Sequence, residues 1–598
     1  MYASESGVGA LYDGNSPEDG KYDTNEVNIP VGPKTLLLRN RTLLCQAADF
    51  RAPKHHLTRK CTVNRKEESN GPVGRRAIIK GAASAGLISA AKVSPLLHAA
   101  ETQLARPDLV RQENSKPGTR DWMLTKTRTV PGMINKHLRN GRCQQIEGYC
   151  SANSVRAGET LKIMVSANPA SDFKLEIFRT GYYGGTGARL MKTFESLKSF
   201  TQADPSVGAN YARECKWEPT VELEIPENWP SGVYLGKMTA QKSGTQSYVI
   251  FIIRDDRPCD FLFQCSDLTW SAYNRWPMDY SIYTEHDDWT SIGVPSGTVS
   301  FERPYGLFTH PVNRLKNSGG SGEYLPWEFP LAYWMEKHGY DVSYISNVDT
   351  HTDPKGLLRA KGFISVGHDE YWSLDMYDNA IKARDAGVSL AFFGGNSVLC
   401  VVPMLPSSDG TPNRNIRREG WFFPMPENIP EADRQRLLKR ALNDKTFEPK
   451  MGPDGALLMG GRLDREGSGR GIGAGDWTCA MPDHWLFAGT GMKKGDSIKG
   501  LLGWEWHGAA KMDLPGMKVV AEGDALVNRK KVGHYTATLY DGPQDNVVFN
   551  AATIWWANGL SSPPGHMNPR RHGVAQQGPD ERVQQITHNL FRRIIAST

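Results

Sequence analysis

Alternating apolar and polar positions dominate residues 143–256 and predict a series of short β-strands. Clear alternation covers 160–165, 174–179 and 233–238, and a longer apolar run covers 246–253. Turn-forming residues separate the strands, among them Gly184-Gly185 and Pro230-Ser231-Gly232. Several short strands in about 110 residues are typical of a β-sandwich, and we expect an immunoglobulin-like one.

From residue 257 to residue 598 the pattern changes to apolar strands that alternate with helices. Strands are predicted over 261–265, 340–345, 363–367 and 388–393, and helices over 327–338, 354–360 and 372–386. This alternation predicts a parallel, doubly wound α/β sheet. Later strands are predicted over 500–504, 518–521 and 546–550, with a closing helix over 581–596. Gly/Trp-rich insertions at 401–430 and 451–480 are typical of functional loops.

The first 142 residues divide into three predicted parts. Residues 1–74 lack sustained periodicity, which predicts a disordered extension. Residues 75–100 place Arg75-Arg76 ahead of an Ala/Gly-rich segment, with Ala99-Ala100 as a cleavage site, and so resemble a twin-arginine export signal. The alternative is a short amphipathic helix with two chance arginines. Residues 101–142 are expected to be a linker or strand lead-in. The export signal predicts a periplasmic or extracellular protein.

Composition and charge narrow the function classes. Hydrophobic residues make up 39% and charged residues 23% of the 598, as in chains that bury cores. The first 80 residues carry thirteen Lys/Arg and nine Asp/Glu, so +4 of the net +6 lies there. The remainder therefore lacks the charge of a nucleic-acid-binding surface. Runs of eighteen apolar residues are absent, which argues against a stable membrane span.

The nine cysteines include no CxxC pair, which argues against a structural zinc site. Disulfides between Cys143 and Cys150, or between Cys259 and Cys265, are left open because spacing alone does not establish a bond.

Polar residues among aromatic ones follow several of the predicted strands. His368, Asp369, Glu370 and Tyr371 follow 363–367 directly. Because ligands bind beyond the carboxyl ends of strands in α/β sheets, these residues are expected to share one pocket with others from the same edge. The expected pocket-lining residues are Trp270, Tyr273, Asn274, Asn396 and Trp504.

The acids of this pocket have structural alternatives. A helix N-terminus accounts for Asp369 and Glu370, but it does not account for His368 in the same turn. Glu505, between two tryptophans, is expected at the mouth of the pocket, on a metal or in a salt bridge with an arginine. We predict catalytic roles for His368, Glu370 and Asp369.

Five segments together resemble the C-terminal region of the large (beta) subunit of N,N-dimethylformamidase and its relatives. The resemblance covers about residues 143–598, and its motifs are 147–151 (EGYCS), 179–185 (RTGYYGG), 269–274 (TWSAYN), 366–372 (VGHDEYW) and 502–505 (LGWE). It implies an immunoglobulin-like sandwich followed by a glutamine-amidotransferase-like α/β domain.

The resemblance also implies hydrolysis of a small amide at one iron ion held by two tyrosines and one glutamate. Tyr371 and Glu505 match one tyrosine and the glutamate. The second tyrosine is expected in the helix before the second strand of the α/β domain, where this chain has Pro330 with Tyr333 one turn away and Tyr324 upstream.

The sequence thus predicts an exported, amidase-like hydrolase that acts on a small amide or related C–N bond, with iron as its expected cofactor. His368 or Glu370 would serve as the proton shuttle. The rival hypothesis is a non-catalytic, exported binding or carbohydrate-recognition protein that uses the Trp-rich rim of the pocket.

Overall fold

The computed structural model describes residues 106–127, 142–274, 276–277, 282, 297–306, 324–422, 450–463, 472–508 and 514–597. The predictions for 1–74, 75–100 and Ala99-Ala100 lie outside the described residues. Residues 97–598 form one compact unit.

Two β-sheets with a shared core form the N-terminal half of the described fold. One sheet has the order β1-β3-β6 and the other β2-β8-β7-β4-β5. Their strands are β1 (Glu147–Cys150), β2 (Ser154–Val155), β3 (Thr160–Ser166), β4 (Ser171–Thr180), β5 (Ala188–Ser199), β6 (Pro219–Glu224), β7 (Gly232–Ala240) and β8 (Gln246–Ile253). Ile163 and Leu223 of the first sheet pack in one cluster with Leu175 and Phe251 of the second. The alternating sequence pattern places these side chains inward.

Strand β8 of the five-stranded sheet is buried on both of its faces. In β8, Val249 and Phe251 face the shared core, whereas Tyr248 and Ile250 belong to a second core that continues into the C-terminal half. This double burial is the physical reason why 246–253 is continuously apolar, since neither face of the strand meets water.

A seven-stranded sheet organises the C-terminal half. Its order is β11-β9-β12-β14-β24-β23-β22. The strands are β9 (Cys259–Cys265), β11 (Val342–Ser346), β12 (Ala360–Gly367), β14 (Ser389–Gly394), β22 (Lys518–Val527), β23 (Lys530–Asp541) and β24 (Val547–Asn550). The first five strands in this order are parallel, and β24, β23 and β22 pair antiparallel. The carboxyl ends of β9, β12, β14 and β24 therefore meet at one edge.

Helices cover both faces of the seven-stranded sheet. Helices α3 (Phe329–Lys337) and α7 (Glu581–Ala596) pack on one face with Phe263 and Ile364, and α5 (Leu374–Asp385) packs on the other with Leu262 and Phe363. The expected mixed α+β class with several sheets is confirmed.

The remaining described elements are short. The helices are α1 (Leu109–Asn114), α2 (Asp267–Tyr273), α4 (Asn347–Thr352) and α6 (Gly455–Met459). The strands are β10 (Thr298–Ser300), β13 (Tyr371–Trp372), β15 (Cys400–Val401), β16 (Met404–Leu405), β17 (Asn415–Arg417), β18 (Gly420–Trp421), β19 (Lys450–Met451), β20 (Gly475–Thr478), β21 (Ser497–Leu502), β25 (Arg570–Arg571) and β26 (Val574–Ala575). Within 101–142, the expected linker, the described residues thus include a helix.

The helix predicted over 354–360 is present as a short 3₁₀ helix, Gly356–Arg359. A separate helix, α4, precedes it, and Ser346 Oγ caps its start by accepting a hydrogen bond from the Asp349 N–H. Ser373 Oγ accepts one from the Met376 N–H and starts α5, so that Tyr371 and Trp372 remain in β13.

The strand predicted over 500–504 does not belong to the main sheet. It is β21, which pairs antiparallel with β20 in a separate two-stranded sheet. Glu505 therefore does not follow a strand of the parallel sheet, in contrast to the prediction for 500–504.

All seven described cysteines are buried, and no disulfide joins two of them. Cys259 and Cys265 lie at opposite ends of β9, too far apart for the disulfide that the sequence left open. Cys143 and Cys150 likewise form no disulfide with each other. None of the helices in the described ranges has the length and apolar character needed to cross a membrane.

Candidate functional site

Four titratable side chains meet at the carboxyl edge of the parallel strands. His368 Nε2 lies 2.8 Å from Glu505 Oε2 and 3.4 Å from Glu370 Oε2. The Tyr273 hydroxyl donates a hydrogen bond of 2.7 Å to Glu370 Oε2. We call these four residues the acid–imidazole cluster. All four were predicted at one pocket, Tyr273, His368 and Glu370 from their positions after β9 and β12 and Glu505 at its mouth, and the structure brings them into contact.

Close backbone approaches bring the elements of this cluster together. Gly367 ends β12 with φ +73°, and a Cβ on it would lie 2.6 Å from the Trp327 Cβ. A Cβ on Gly395 would lie 2.2 Å from the Glu505 carbonyl oxygen. Only glycine permits these approaches. The approach at Gly395 holds the segment that carries Glu505 against the end of β14, although β21 is not part of that sheet.

Hydrogen bonds fix Glu370 on all sides. Its N–H donates to Thr269 Oγ1 at 3.1 Å, and its carbonyl accepts from the N–H groups of Leu399 and Cys400. The Cys400 thiol lies 3.8 Å from Glu370 Oε1. The carboxylate is therefore held in one orientation, with one oxygen facing Tyr273 and His368.

The charges around Glu505 favour its ionised form. Burial alone would raise the pKa of Glu505, but the positive charges of His368 and Arg571 outweigh burial and lower it. Its side chain is 23% exposed, so it connects the cluster to solvent. The Arg571 guanidinium lies 4.3 Å from the centre of the Trp504 ring. Both carboxylates of the cluster thus lie near His368, and Glu505 also lies near the positive charge of Arg571, which is outside the cluster.

Asp369, a predicted catalytic residue, faces away from the cluster. It is fully buried, and it accepts hydrogen bonds from Gln264 Nε2, Asn347 Nδ2 and Ser365 Oγ at 2.5, 3.0 and 2.8 Å. Burial raises the pKa of Asp369 to about 6, and these donors limit the rise. Asp369 anchors the turn that presents its neighbours.

Tyr371, the tyrosine that the resemblance assigns to iron, is fully buried in β13. Its ring centre lies 6.2 Å from that of Tyr273. At the position of the second tyrosine, the Pro330 carbonyl accepts a hydrogen bond from Ser561 Oγ. The Tyr324 hydroxyl is bonded to Thr180 Oγ1 at 2.8 Å, and the Tyr333 ring packs on Tyr182. These contacts of Tyr324 and Tyr333 are thus with residues of the N-terminal half of the fold.

A different pair of oxygen donors fits a hard cation. The Tyr273 hydroxyl and the Glu370 carboxylate are in direct contact beside His368, and phenolate and carboxylate oxygens are suitable ligands for ferric iron. Within the described ranges, groups of three or more His, Cys, Asp or Glu with the geometry to hold a metal are absent. Tyr273 and Glu370 thus offer a phenol–carboxylate pair in addition to Tyr371 and Glu505, the ligands that the resemblance implies.

The other predicted pocket residues contact groups outside the acid–imidazole cluster or lie beside its backbone. Trp270 Nε1 donates to Glu328 Oε1 at 2.7 Å, and Asn274 Nδ2 donates to the Pro304 carbonyl at 2.9 Å. Trp504 is 7% exposed and packs edge-on against Trp327 and Trp555. Asn396 follows Gly395 and so lies beside the Glu505 backbone.

Sequence reasoning missed three residues near the cluster. Arg571 lies in the hairpin β25–β26, Cys400 contacts Glu370, and His507 fixes the turn after β14. Of these three, only His507 could have been identified from the sequence, because it lies two residues after Glu505. Nothing local marks Arg571 or Cys400, which long-range packing brings into place.

Comparisons with known proteins give one informative match. Residues 174–570 match the family model described as N,N-dimethylformamidase beta subunit-like, C-terminal. No curated protein matches the chain. Among solved structures, a family 123 glycoside hydrolase from Clostridium perfringens is 10% identical, with a TM-score of 0.10 over 48% of this chain and 51% of that one. The chain spans about half the length of that structure, and so low a score says nothing about its fold.

Proposed function

This chain belongs to the N,N-dimethylformamidase beta subunit-like family, and we propose that it is a hydrolase of small amides or related non-peptide C–N bonds. The observation that carries the proposal is the His368–Glu505 contact of 2.8 Å, beside Glu370 and Tyr273, at the edge of the sheet where α/β proteins bind ligands.

The cluster has the parts needed for proton transfer in amide hydrolysis. Glu505, in contact with the His368 imidazolium, would accept a proton from a water molecule as its oxygen attacks the amide carbonyl carbon. The same proton would then pass to the leaving nitrogen as the C–N bond breaks, which gives a carboxylic acid and an amine. Glu370 would keep the imidazole in place.

We propose one ferric ion as the cofactor, as the resemblance implies. When bound, it would supply Lewis-acid chemistry to the amide carbonyl or to water. Tyr371 and Glu505 are the ligands implied by the motifs, whereas the contact between Tyr273 and Glu370 favours those two. Tyr371→Phe and Tyr273→Phe variants distinguish the assignments, because only loss of a ligand abolishes iron–phenolate colour.

We also propose that β1–β8 form an immunoglobulin-like sandwich and that the seven-stranded sheet with its helices is glutamine-amidotransferase-like. We further propose that the protein is exported by the twin-arginine route.

The experiment is a panel of small amides assayed for released amine, with metal analysis of the same preparation. We expect hydrolysis of at least one amide, and a loss of about 10²–10⁴-fold in kcat for His368→Gln. Absence of hydrolysis across the panel, with saturable binding of sugars, would favour the carbohydrate-recognition alternative instead.

A further inference from the structure

The turn that follows β14 is strained. Asn396 has φ +56° and Val398 has φ +50°, in the left-handed region that is costly for a β-branched residue. Gly394 is equally confined, because a Cβ on it would lie 2.5 Å from the Gly367 carbonyl oxygen and 2.6 Å from Ser397 Oγ. Strained backbone of this kind persists where the surroundings enforce it and is frequent at functional sites. We call 394–398 the β14 turn.

Two polar side chains of the β14 turn are buried without a hydrogen-bond partner. Asn396 is 4% exposed and Ser397 is 1% exposed. Within the part of the chain that the structure describes, neither Asn396 Oδ1 nor Ser397 Oγ has a partner. Each unsatisfied buried polar group lowers the stability of the fold by about 1–3 kcal/mol. A ligand that forms hydrogen bonds with these two atoms would recover that free energy.

His507 fixes the β14 turn to the segment that carries Glu505. Its Nε2 accepts a hydrogen bond of 3.1 Å from the Ser397 N–H, and its Nδ1 lies 2.9 Å from Asn550 Oδ1. Acceptance at Nε2 requires the neutral ring with its proton on Nδ1. This hydrogen bond, with the close approach of Gly395 to the Glu505 carbonyl oxygen, fixes the position of the β14 turn relative to Glu505.

We propose that Asn396 and Ser397 form a subsite that binds the amide group of the substrate, and that the substrate is an amide that still carries an N–H. Asn396 Oδ1 is an acceptor and would bind the substrate N–H. The Ser397 hydroxyl can donate to the substrate carbonyl. An N,N-dialkyl amide has no N–H, so it would leave Asn396 Oδ1 unsatisfied. The inference rests on the proposed function and names its substrate class.

The test compares formamide, N-methylformamide and N,N-dimethylformamide as substrates of the full chain. Since a single hydrogen bond is worth about 1.4 kcal/mol, kcat/KM for the first two should exceed that for the third by about tenfold or more. Asn396→Leu should remove this preference by lowering kcat/KM for the N–H amides alone. Asn396→Asp, which offers acceptors only, should keep the preference. Ser397→Ala should lower kcat/KM for all three amides, since all three carry the carbonyl.

A matched control is Thr538→Val. Thr538 Oγ1 is also buried without a partner among the described residues, but it lies on β23 against Gly460. This variant should leave the kinetics of all three amides unchanged. Equal kcat/KM for the three amides in the wild type, or an equal loss on all three in Asn396→Leu, would overturn the inference.

A second measurement tests the subsite even if the protein is not an amide hydrolase. If the wild type hydrolyses none of the three amides, saturation-transfer NMR ranks their binding without turnover. A preference for the N–H amides that Asn396→Leu abolishes would uphold the subsite, and equal or absent binding would refute it.

Discussion

At the scale of single residues, the phenol beside Glu370 is the sharpest candidate for a functional group. Tyr273→Phe removes the hydroxyl that donates to Glu370 Oε2 and keeps the ring against His368. We expect kcat to fall by about tenfold or more, because Glu370 loses its strongest donor, while the free energy of unfolding changes by less than about 1–2 kcal/mol. Steady-state kinetics and urea unfolding measure the two effects. Undiminished kcat would exclude a role for this hydroxyl.

Asp267 gives a prediction about pH. Burial raises the pKa of Asp267 to about 7, against an unfolded value of about 3.9, and hydrogen bonds from Asn153 and Asn347 limit the rise. The folded state therefore binds the proton more tightly. The stability that this group contributes is fully present below about pH 4 and is lost as the pH rises through 7.

In the wild type, the titration of Asp267 should lower the free energy of unfolding by on the order of 3 kcal/mol between pH 4 and 7, and Asp267→Asn should remove this decrease. Urea unfolding across this range measures it. Asp545→Asn, at an exposed side chain, serves as the control and should leave the profile unchanged. An Asp267→Asn profile as steep as that of the wild type would contradict the assignment.

At the scale of elements, the contact between the β14 turn and the Glu505 segment depends on a glycine. Gly395→Ala would place a Cβ 2.2 Å from the Glu505 carbonyl oxygen and 2.9 Å from the Ile554 nitrogen. Both are backbone atoms, so the elements must separate. We expect a loss of about 2 kcal/mol or more in unfolding free energy together with loss of activity.

The matched substitution is Gly208→Ala, where the nearest atom would lie 3.3 Å away. It should cost less than about 1 kcal/mol. Similar stability and activity for both variants would show that the close approach at Gly395 is unimportant.

These elements also show what the sequence could predict. Alternation and apolar runs predicted β4, β8, β9 and β12, because the local order of apolar and polar residues depends on which faces of a strand are buried. Position after β12 then predicted His368 and Glu370. The pairing of β21 with β20, and hence the route that brings Glu505 to the site, depends on contacts distant in sequence. So do the places of Arg571 and Cys400, which no local pattern encodes.

At the scale of the whole molecule, a buried ion pair joins the N-terminal sheets to the C-terminal half. Arg179 of β4 contacts Glu336 of α3 through two hydrogen bonds of 2.9 Å, and the two side chains are 1% and 0% exposed. Glu336→Gln would leave the guanidinium without a matching charge in the interior. We expect a loss of about 3–5 kcal/mol, measured by urea unfolding.

Lys499→Ala is the control, because it breaks an exposed pair with Asp476 and should cost at most about 1 kcal/mol. Replacement of both buried partners, as Arg179→Met with Glu336→Leu, should recover part of the loss. If Glu336→Gln were no more costly than Lys499→Ala, the pair would not hold the two halves together.

His368 and Glu505 are proposed to act together in hydrolysis, and a double-mutant cycle tests this. It compares kcat/KM on one hydrolysed amide for His368→Gln, Glu505→Gln and the double variant. When two residues act together, the second substitution removes nothing that the first has not already removed, so we expect the double variant to be no slower than the slower single variant. If the two losses multiply in the double variant, the residues act independently and the proposed pairing is wrong.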